Sequence, residues 1–250
     1  MEQTVRKAFD VLEALARARE PRRLTDLARE LSLTKPNVYR LLSTLSELGY
    51  VSKEEATSRY SATLKLWELG SVLVRDGNLI AKTAPRLREL AEASHESVQL
   101  AVYDAGFAVF VNKLDSPRPI KAMTTIGSRV PAACASTGKA ILAFLPDREV
   151  TLALSLLKRF TPLTRMRRVD LDRDLESARK QGYAVNHGEW RAGVCGIAAP
   201  VRDSDGHVIA SLGVWGAEDS ILGPRREELS AMVLETSREA SRDFGFTATR

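Results

Sequence analysis

The chain has 250 residues, 44% of them hydrophobic, and carries 37 basic against 32 acidic side chains for a net charge of +5. That is enough chain for one or two domains with their own cores, and it holds no apolar run of the ~18 residues that span a bilayer. Two cysteines are too few for a disulfide framework, and the first residues lack the apolar core and cleavage site of a secretory leader, so a cytoplasmic protein is expected.

Val5, Ala8, Phe9, Leu12, Leu15 and Ala16 follow helical spacing and predict a first amphipathic helix, ended by the polar residues 17–21. Leu24, Leu27, Ala28 and Leu31 predict a second, and Ser32-Leu33 a tight connection to a third. Thr34 suits the N-cap of that third helix, and Pro36 is tolerated in a first turn whose amides have no partner. Val38, Leu41, Leu42, Leu45 and Leu48 form its apolar stripe, and Gly49 is placed to end it in a left-handed conformation. The outward side holds Lys35, Pro36, Tyr39, Arg40 and Ser43, with Asn37 and Thr44 at its margins. Lys and Arg meet phosphates, Thr34 and Tyr39 can donate to phosphate oxygens, and Asn and Arg can read base edges in a major groove. A tight turn followed by a helix with such a tip predicts a helix-turn-helix with double-stranded DNA as partner. Two short strands around the polar turn at residues 54–58 extend it to a winged helix-turn-helix, with Arg59 in reach of a phosphate or the minor groove and Glu54 and Glu55 opposing it.

Residues 64–74 are apolar over much of a helical surface and predict a linker helix that pairs with a second copy of itself. Residues 75–78 break it, Gly-Asn being a stop signal. The expected organisation is therefore a DNA-binding domain over 1–63, a linker over 64–78 and a second domain over 79–250. In the last of these, helices are expected over 85–93, 137–145, 149–157, 170–181 and 224–244. Strands are expected over 98–103, 107–113, 120–125, 184–187, 195–202 and 208–214, with Asp203-Ser204-Asp205-Gly206 as a hairpin turn. Helices with mostly antiparallel hairpins predict an α+β class, helices laid on a sheet.

Ser136-Thr137-Gly138 precedes an apolar helical run and offers hydroxyls and free amides to an anion, and Asn186 can add donors. A small carboxylic acid is the expected ligand. Ser136-Thr137-Gly138-Lys139 is not a phosphate loop, because Ala133 and Ala140 stand where that motif needs a Gly and a Ser or Thr. Cys195 and His187 leave open a second reading, a Cys-dependent small-molecule hydrolase with a helical N-terminal unit. His95, His187 and His207 with two cysteines show no zinc spacing, so neither metal nor cofactor is expected.

Three segments, LARELSLTKPNVYRLLSTLSELGYV, IGSRVPAACASTGKAILAFLP and QGYAVNHGEWRAGVCGIAAPVRDSDGHVIASLGVWG, together resemble the IclR family of bacterial transcriptional regulators over nearly the whole chain. The resemblance implies a winged helix-turn-helix, a C-terminal effector-binding, oligomerisation domain over 79–250 with a GAF-like fold, homodimers or homotetramers on pseudo-palindromic operators, and a small organic effector. It also implies effector contacts. Ser136 and Thr137 stand at the small residues before the family's Gly-Lys pair, Ala122 and Val130 on its apolar wall, and Asn186 at a polar position. Val194, Cys195 and Gly196 lie near a position where several members have a cysteine. Cys195 is one place off that pattern, and one place along a strand is the opposite face, so both faces stay open for it. Gly213 and Trp215 replace small hydroxyl residues of some members, which shifts the expectation toward an aromatic or larger apolar acid.

Overall fold

The computed structural model describes residues 3–75, 79–116 and 124–247. Its contacts divide the chain into two compact units, one ending at Asn78 and the other beginning at Leu79.

The N-terminal unit begins with α1 (Gln3–Arg17), α2 (Leu24–Glu30) and α3 (Lys35–Glu47), followed by β2 (Val51–Glu54), β3 (Arg59–Ala62) and α4 (Lys65–Arg75). A two-residue strand, β1 (Arg22–Arg23), pairs antiparallel with β3, giving a sheet of order β1-β3-β2. The helical stripes meet in one core made of Val11, Leu12, Leu15, Leu27, Val38, Leu41, Leu42 and Leu45, closed by Val51 and Tyr60 from the wing. Four expected core members are not in it, and one of them, Ala16, is exposed at the end of α1. Val5, Phe9 and Leu48 are more than half exposed, because α1 and α3 each carry apolar residues beyond the span that their neighbours cover. Ser32 takes φ 53° at the turn between α2 and α3, and Gly49 takes φ 78° after α3, so the left-handed end expected at Gly49 forms.

The C-terminal unit is built on α5 (Leu79–Ser94), β4 (Ser97–Asp104), β5 (Phe107–Leu114), β6 (Arg129–Pro131), α6 (Ser136–Leu142), α7 (Asp147–Ser155), α8 (Arg168–Gln181), β7 (Ala184–His187), β8 (Val194–Arg202), β9 (Val208–Ala217), α9 (Glu218–Ile221) and α10 (Arg226–Asp243). The six strands form one antiparallel sheet of order β6-β5-β4-β9-β8-β7. Alternation along the strands separates two cores. Val98, Leu100, Cys195, Ile197, Ala199, Leu212 and Val214 pack with Leu87 and Leu90 of α5 and Leu229 and Val233 of α10. Ala108, Phe110, Ala184 and Ala198 pack on the other face with α6, α7 and α8 through Leu142, Ala153, Leu171 and Leu175. The class is therefore α+β, an antiparallel sheet covered by helices on both faces, as expected.

Several boundaries moved. α5 starts six residues before Pro85, which lies inside it; the hydroxyl of Thr83 donates to the carbonyl of Leu79 at 2.7 Å in the turn before the proline. β6 was not foreseen, and β9 runs three residues beyond its expected end, to Ala217. The strand expected over 120–125 falls mostly outside the described residues, and Thr124 and Thr125 are not in a strand. Gly182 closes α8 in the left-handed conformation at φ 83°. Among the described residues no helix is long and apolar enough to cross a membrane.

Candidate nucleic-acid interface and effector cavity

On α3 the stripe Val38, Leu41, Leu42 and Leu45 is buried, which turns the other side outward. Thr34, Lys35, Pro36, Tyr39, Arg40, Ser43 and Thr44 are exposed and Asn37 is half-buried. Thr34 occupies the N-cap position, but its side chain makes no capping bond. The first turn of α3 contains no acidic residue. Lys35, Asn37, Tyr39 and Arg40 make no side-chain hydrogen bond or ion pair among the described residues, so their donors face solvent uncommitted. Two neighbours are less free. Thr44 Oγ1 donates back to the carbonyl of Arg40 at 3.1 Å, and Arg59 Nη1 donates to the carbonyl of Pro21 at 3.3 Å. The wing turn carries Glu54, whose carboxylate accepts from Thr57 Oγ1. Chemically, this is a helix tip with positive and neutral donors and no anion at its base, which suits a phosphate backbone and base edges.

In the C-terminal unit a cavity opens on the α6 side of the sheet. Register explains which residues reach it. Gly196 pairs with Trp215 and with Asn186, and Ser97 pairs with Trp215. Trp215, Gly196, Asn186 and Gln99 therefore share one face, opposite to Cys195 and Val214. Ser136 at the start of α6 sits above them, so close that a Cβ on Gly196 would lie 2.7 Å from its hydroxyl. Phe110, Val130, Cys134, Trp190 and Thr124 complete much of the wall. The free volume is about 30 Å³, room for a water molecule or two and not for an aromatic ring.

The polar inventory of this cavity is unusual for a core. Trp215 is 4% exposed, and its indole N–H has no hydrogen-bond partner; Thr124 Oγ1 is buried and has none either. Neither Ser136 nor Gln99 makes a side-chain hydrogen bond among the described residues. Native cores leave few such groups unpaired, and each calls for an explanation. Among the described residues no charged side chain lines the space. One exists just behind it. Lys139, fully buried in α6, donates to Asp174 Oδ2 and Glu189 Oε1 at 2.6 Å each and to the carbonyl of Val185 at 3.3 Å. Glu189 begins the span that carries Trp190, and its carbonyl accepts from Thr164 Oγ1 at 2.7 Å. The ion pair thus fastens the cavity's outer wall to α6 and α8.

Val130, Ser136, Asn186, Val194, Cys195, Gly196 and Trp215 of the expected effector residues line the cavity. Thr137 and Gly213 do not: Thr137 is fully buried with its carbonyl accepting from Ser211 Oγ at 2.8 Å, and a Cβ at Gly213 would collide with the carbonyl of Ile197 at 2.1 Å. Gly213 is there because two strands need its room. Ala122 lies outside the described residues. Asn186 is present but occupied, its Nδ2 donating to the carbonyl of Val194 at 3.3 Å and its Oδ1 accepting from the amide of Glu189 at 3.0 Å. Cys195 touches the cavity, yet its place in the strand sends the thiol into the opposite core with Ile197 and Val214. Gln99, Phe110, Thr124, Cys134 and Trp190 were not foreseen; of these, Gln99 had a signal, a lone amide in the otherwise apolar strand SVQLAVYD.

A nucleophile at Cys195 finds no support. Burial pushes its thiol up to about 11 and holds the His187 imidazole below its ordinary value, so neither partner ionises toward a thiolate–imidazolium pair. Burial pushes Cys134 further, to about 12.

Residues 4–55 match the model of the IclR helix-turn-helix domain, and residues 72–242 that of the bacterial transcriptional regulator IclR C-terminal domain. The chain is 34% identical over 245 residues to the HTH-type transcriptional regulator KdgR of Dickeya chrysanthemi, covering 97% of this chain and 80% of that protein. It is 28% identical to the transcriptional repressor IclR of Escherichia coli K12, over 97% of this chain and 90% of the other. The crystal structure of Thermotoga maritima IclR superposes with a TM-score of 0.78 at 28% identity, over 97% and 99% of the two chains. An IclR homologue of Microbacterium hydrocarbonoxydans, complexed with 4-hydroxybenzoate, has the same fold at a TM-score of 0.82 and 24% identity, over 97% and 99%. With a free polar helix tip in one unit, a cavity edged by unpartnered polar groups in the other, and both units matched in order, the chain belongs to the IclR family of DNA-binding transcriptional regulators.

Proposed function

We propose that the chain is a cytoplasmic, ligand-responsive regulator that binds a pseudo-palindromic operator as a homodimer or homotetramer, with a small organic acid, an aromatic one first, as effector. The observation that carries the effector reading is a set of polar groups around one cavity that have no side-chain partner among the described residues: the buried Trp215 Nε1 and Thr124 Oγ1, with Ser136 and Gln99 beside them. A donor-only N–H asks for an acceptor, and two hydroxyls and an amide beside it suit a carboxylate or a phenol. Phe110, Trp190 and Trp215 supply flat walls for a ring, and the 4-hydroxybenzoate held by the Microbacterium homologue is a ligand of that kind. The free volume requires the walls to part on binding. Trp190 and Val194 are the partly exposed wall members, and the span 188–193 that bears Trp190 is bounded by Gly188 and Gly193, each at φ 72°. The effector domain takes in residues 79–250 and the reading head 1–63, joined by 64–78.

Exposed apolar residues support self-association within the reading unit. Phe9 is 61% exposed on α1, and Leu64 and Trp67 are 78% and 67% exposed at the start of α4; large apolar side chains left this open suit contact with a second copy. Two copies place two recognition helices in major grooves about 34 Å apart, or a multiple of it. Effector then alters operator affinity only by binding one arrangement of the copies better than the other.

The test is a thermal-shift screen of aromatic and aliphatic acids on the full chain, followed by titration of each hit against wild type and Trp215→Phe. The variant keeps the ring and removes one donor. Affinity for the acid should fall about tenfold, as for loss of one hydrogen bond to a charged group. No stabilisation by any acid in the series rejects the acid reading; stabilisation with equal affinity in Trp215→Phe moves the carboxylate elsewhere in the cavity.

A further inference from the structure

Away from the effector cavity, the ends of α6, α8, β8 and α10 enclose a groove of about 410 Å³. Five cationic side chains line it, Arg179, Lys180, Arg202, Arg238 and Arg242, and no carboxylate of the described residues does. The acids nearby face outward: Glu176 pairs with Lys180 at 2.7 Å, and a single Glu235 is shared by Arg238 and Arg242 at 3.6 and 3.8 Å. Five cations against two carboxylates leave a local excess of three positive charges.

Arg202 is the central group. Its guanidinium lies 4.2 Å from the ring centre of Phe144 and 6.0 Å from that of Phe246, and Nη1 donates to the carbonyl of Gly206 at 2.8 Å. It has no carboxylate partner among the described residues, and burial draws its pKa down. A half-buried guanidinium without a counter-ion is costly unless an anion reaches it. Arg179 beside it spends Nε on the carbonyl of Ala143, which leaves its terminal amines for the groove. Capping of helix ends accounts for one donor on Arg179; it does not account for five cations around one hollow.

We propose that this groove is a second ligand site, for a small phosphorylated anion with at least two negative charges. Four of the five cations are Arg, whose planar forks bind phosphoryl oxygens in pairs, where Lys offers a point charge. The hollow falls within the size range of small-ligand sites, and Phe144 and Phe246 give it a floor that excludes water from one side of Arg202.

The probe is inorganic pyrophosphate, titrated calorimetrically into the full-length protein at constant ionic strength, with sulfate and citrate in parallel. Saturable binding is expected, at least tenfold tighter than sulfate. Arg202→Gln and Arg242→Gln should each weaken it about tenfold. Glu235→Gln, which removes the acid that competes for Arg238 and Arg242, should tighten it. That opposite sign separates a ligand site from a merely structural cluster, and Arg242 and Glu235 are exposed enough that neither change threatens folding. Binding no tighter than sulfate, or unchanged in all three variants, overturns the proposal. So does stoichiometric displacement of pyrophosphate by non-operator duplex DNA, which would make the anion a nucleic-acid backbone. A nucleoside diphosphate and a sugar phosphate then distinguish the sources of the phosphoryl group.

Discussion

At the scale of single residues, Lys139 is the side chain whose environment differs most from its ordinary one. A buried ammonium is stable only while both carboxylates answer it, and removing one member of such a pair strands the other charge. Lys139→Met should therefore cost about 3–5 kcal/mol of unfolding free energy, read by urea denaturation. Adding Glu189→Gln should recover part of that loss, since Glu189 Oε1 no longer needs a cation. An equal effect of Glu189→Gln in the wild type and beside Lys139→Met would show that the pair is not coupled. The thiols make a second prediction. With Cys134 at about 12 and Cys195 at about 11, both stay protonated near neutral pH. Iodoacetamide at about pH 8 should leave the native chain unmodified and alkylate both cysteines once it is unfolded, as followed by mass spectrometry. Rapid labelling of the folded protein would mean that one thiol is open to solvent.

At the scale of elements, α3 shows how one helix divides its work. Its inner stripe holds the three-helix core, and its outer tip keeps donors uncommitted. If Arg40 reads a base, Arg40→Ala costs about 1–3 kcal/mol per half-site and relaxes preference at one position. Lys35→Ala should weaken all sequences alike and reduce the salt slope of binding by about 1. Mobility-shift titrations at several salt concentrations separate the two; a uniform loss in Arg40→Ala would assign it to phosphate instead. This helix was legible in the sequence because its signals are local: a 3.6-residue period, an early proline and a glycine just past the end. β1 was not legible, because two residues carry no period and exist as a strand only through pairing with β3. Pro85 misled for the opposite reason. A proline reads as a helix start, yet α5 extends back to Leu79, where that side chain finds cover in the α5–α10 core.

At the scale of the whole molecule, apolar identity alone does not say what will cover a side chain. Val5 and Phe9 fit the stripe of α1 as well as Leu12 does, but only Leu12 is covered by its own unit. Self-association through these residues predicts that Phe9→Glu or Trp67→Glu shifts the chain toward monomer in sedimentation. Operator affinity should fall with it by far more than one side chain's contacts, since two linked heads gain from each other's binding. An unchanged oligomer in both variants would place the interface elsewhere.

The order of the units, the class of the fold and the reading helix were determined by the sequence itself, because helical period, turn chemistry and capping act between residues a few places apart. Which groups face the cavity was decided only in three dimensions. Asn186 was a donor on paper and is a clasp in the fold; Cys195 touches the cavity and turns its thiol away; Gln99, Thr124 and Trp190 come to it from separate elements. The reason is register. Strand pairing between residues far apart in the chain sets the face on which each side chain lies, and a shift of one place reverses it.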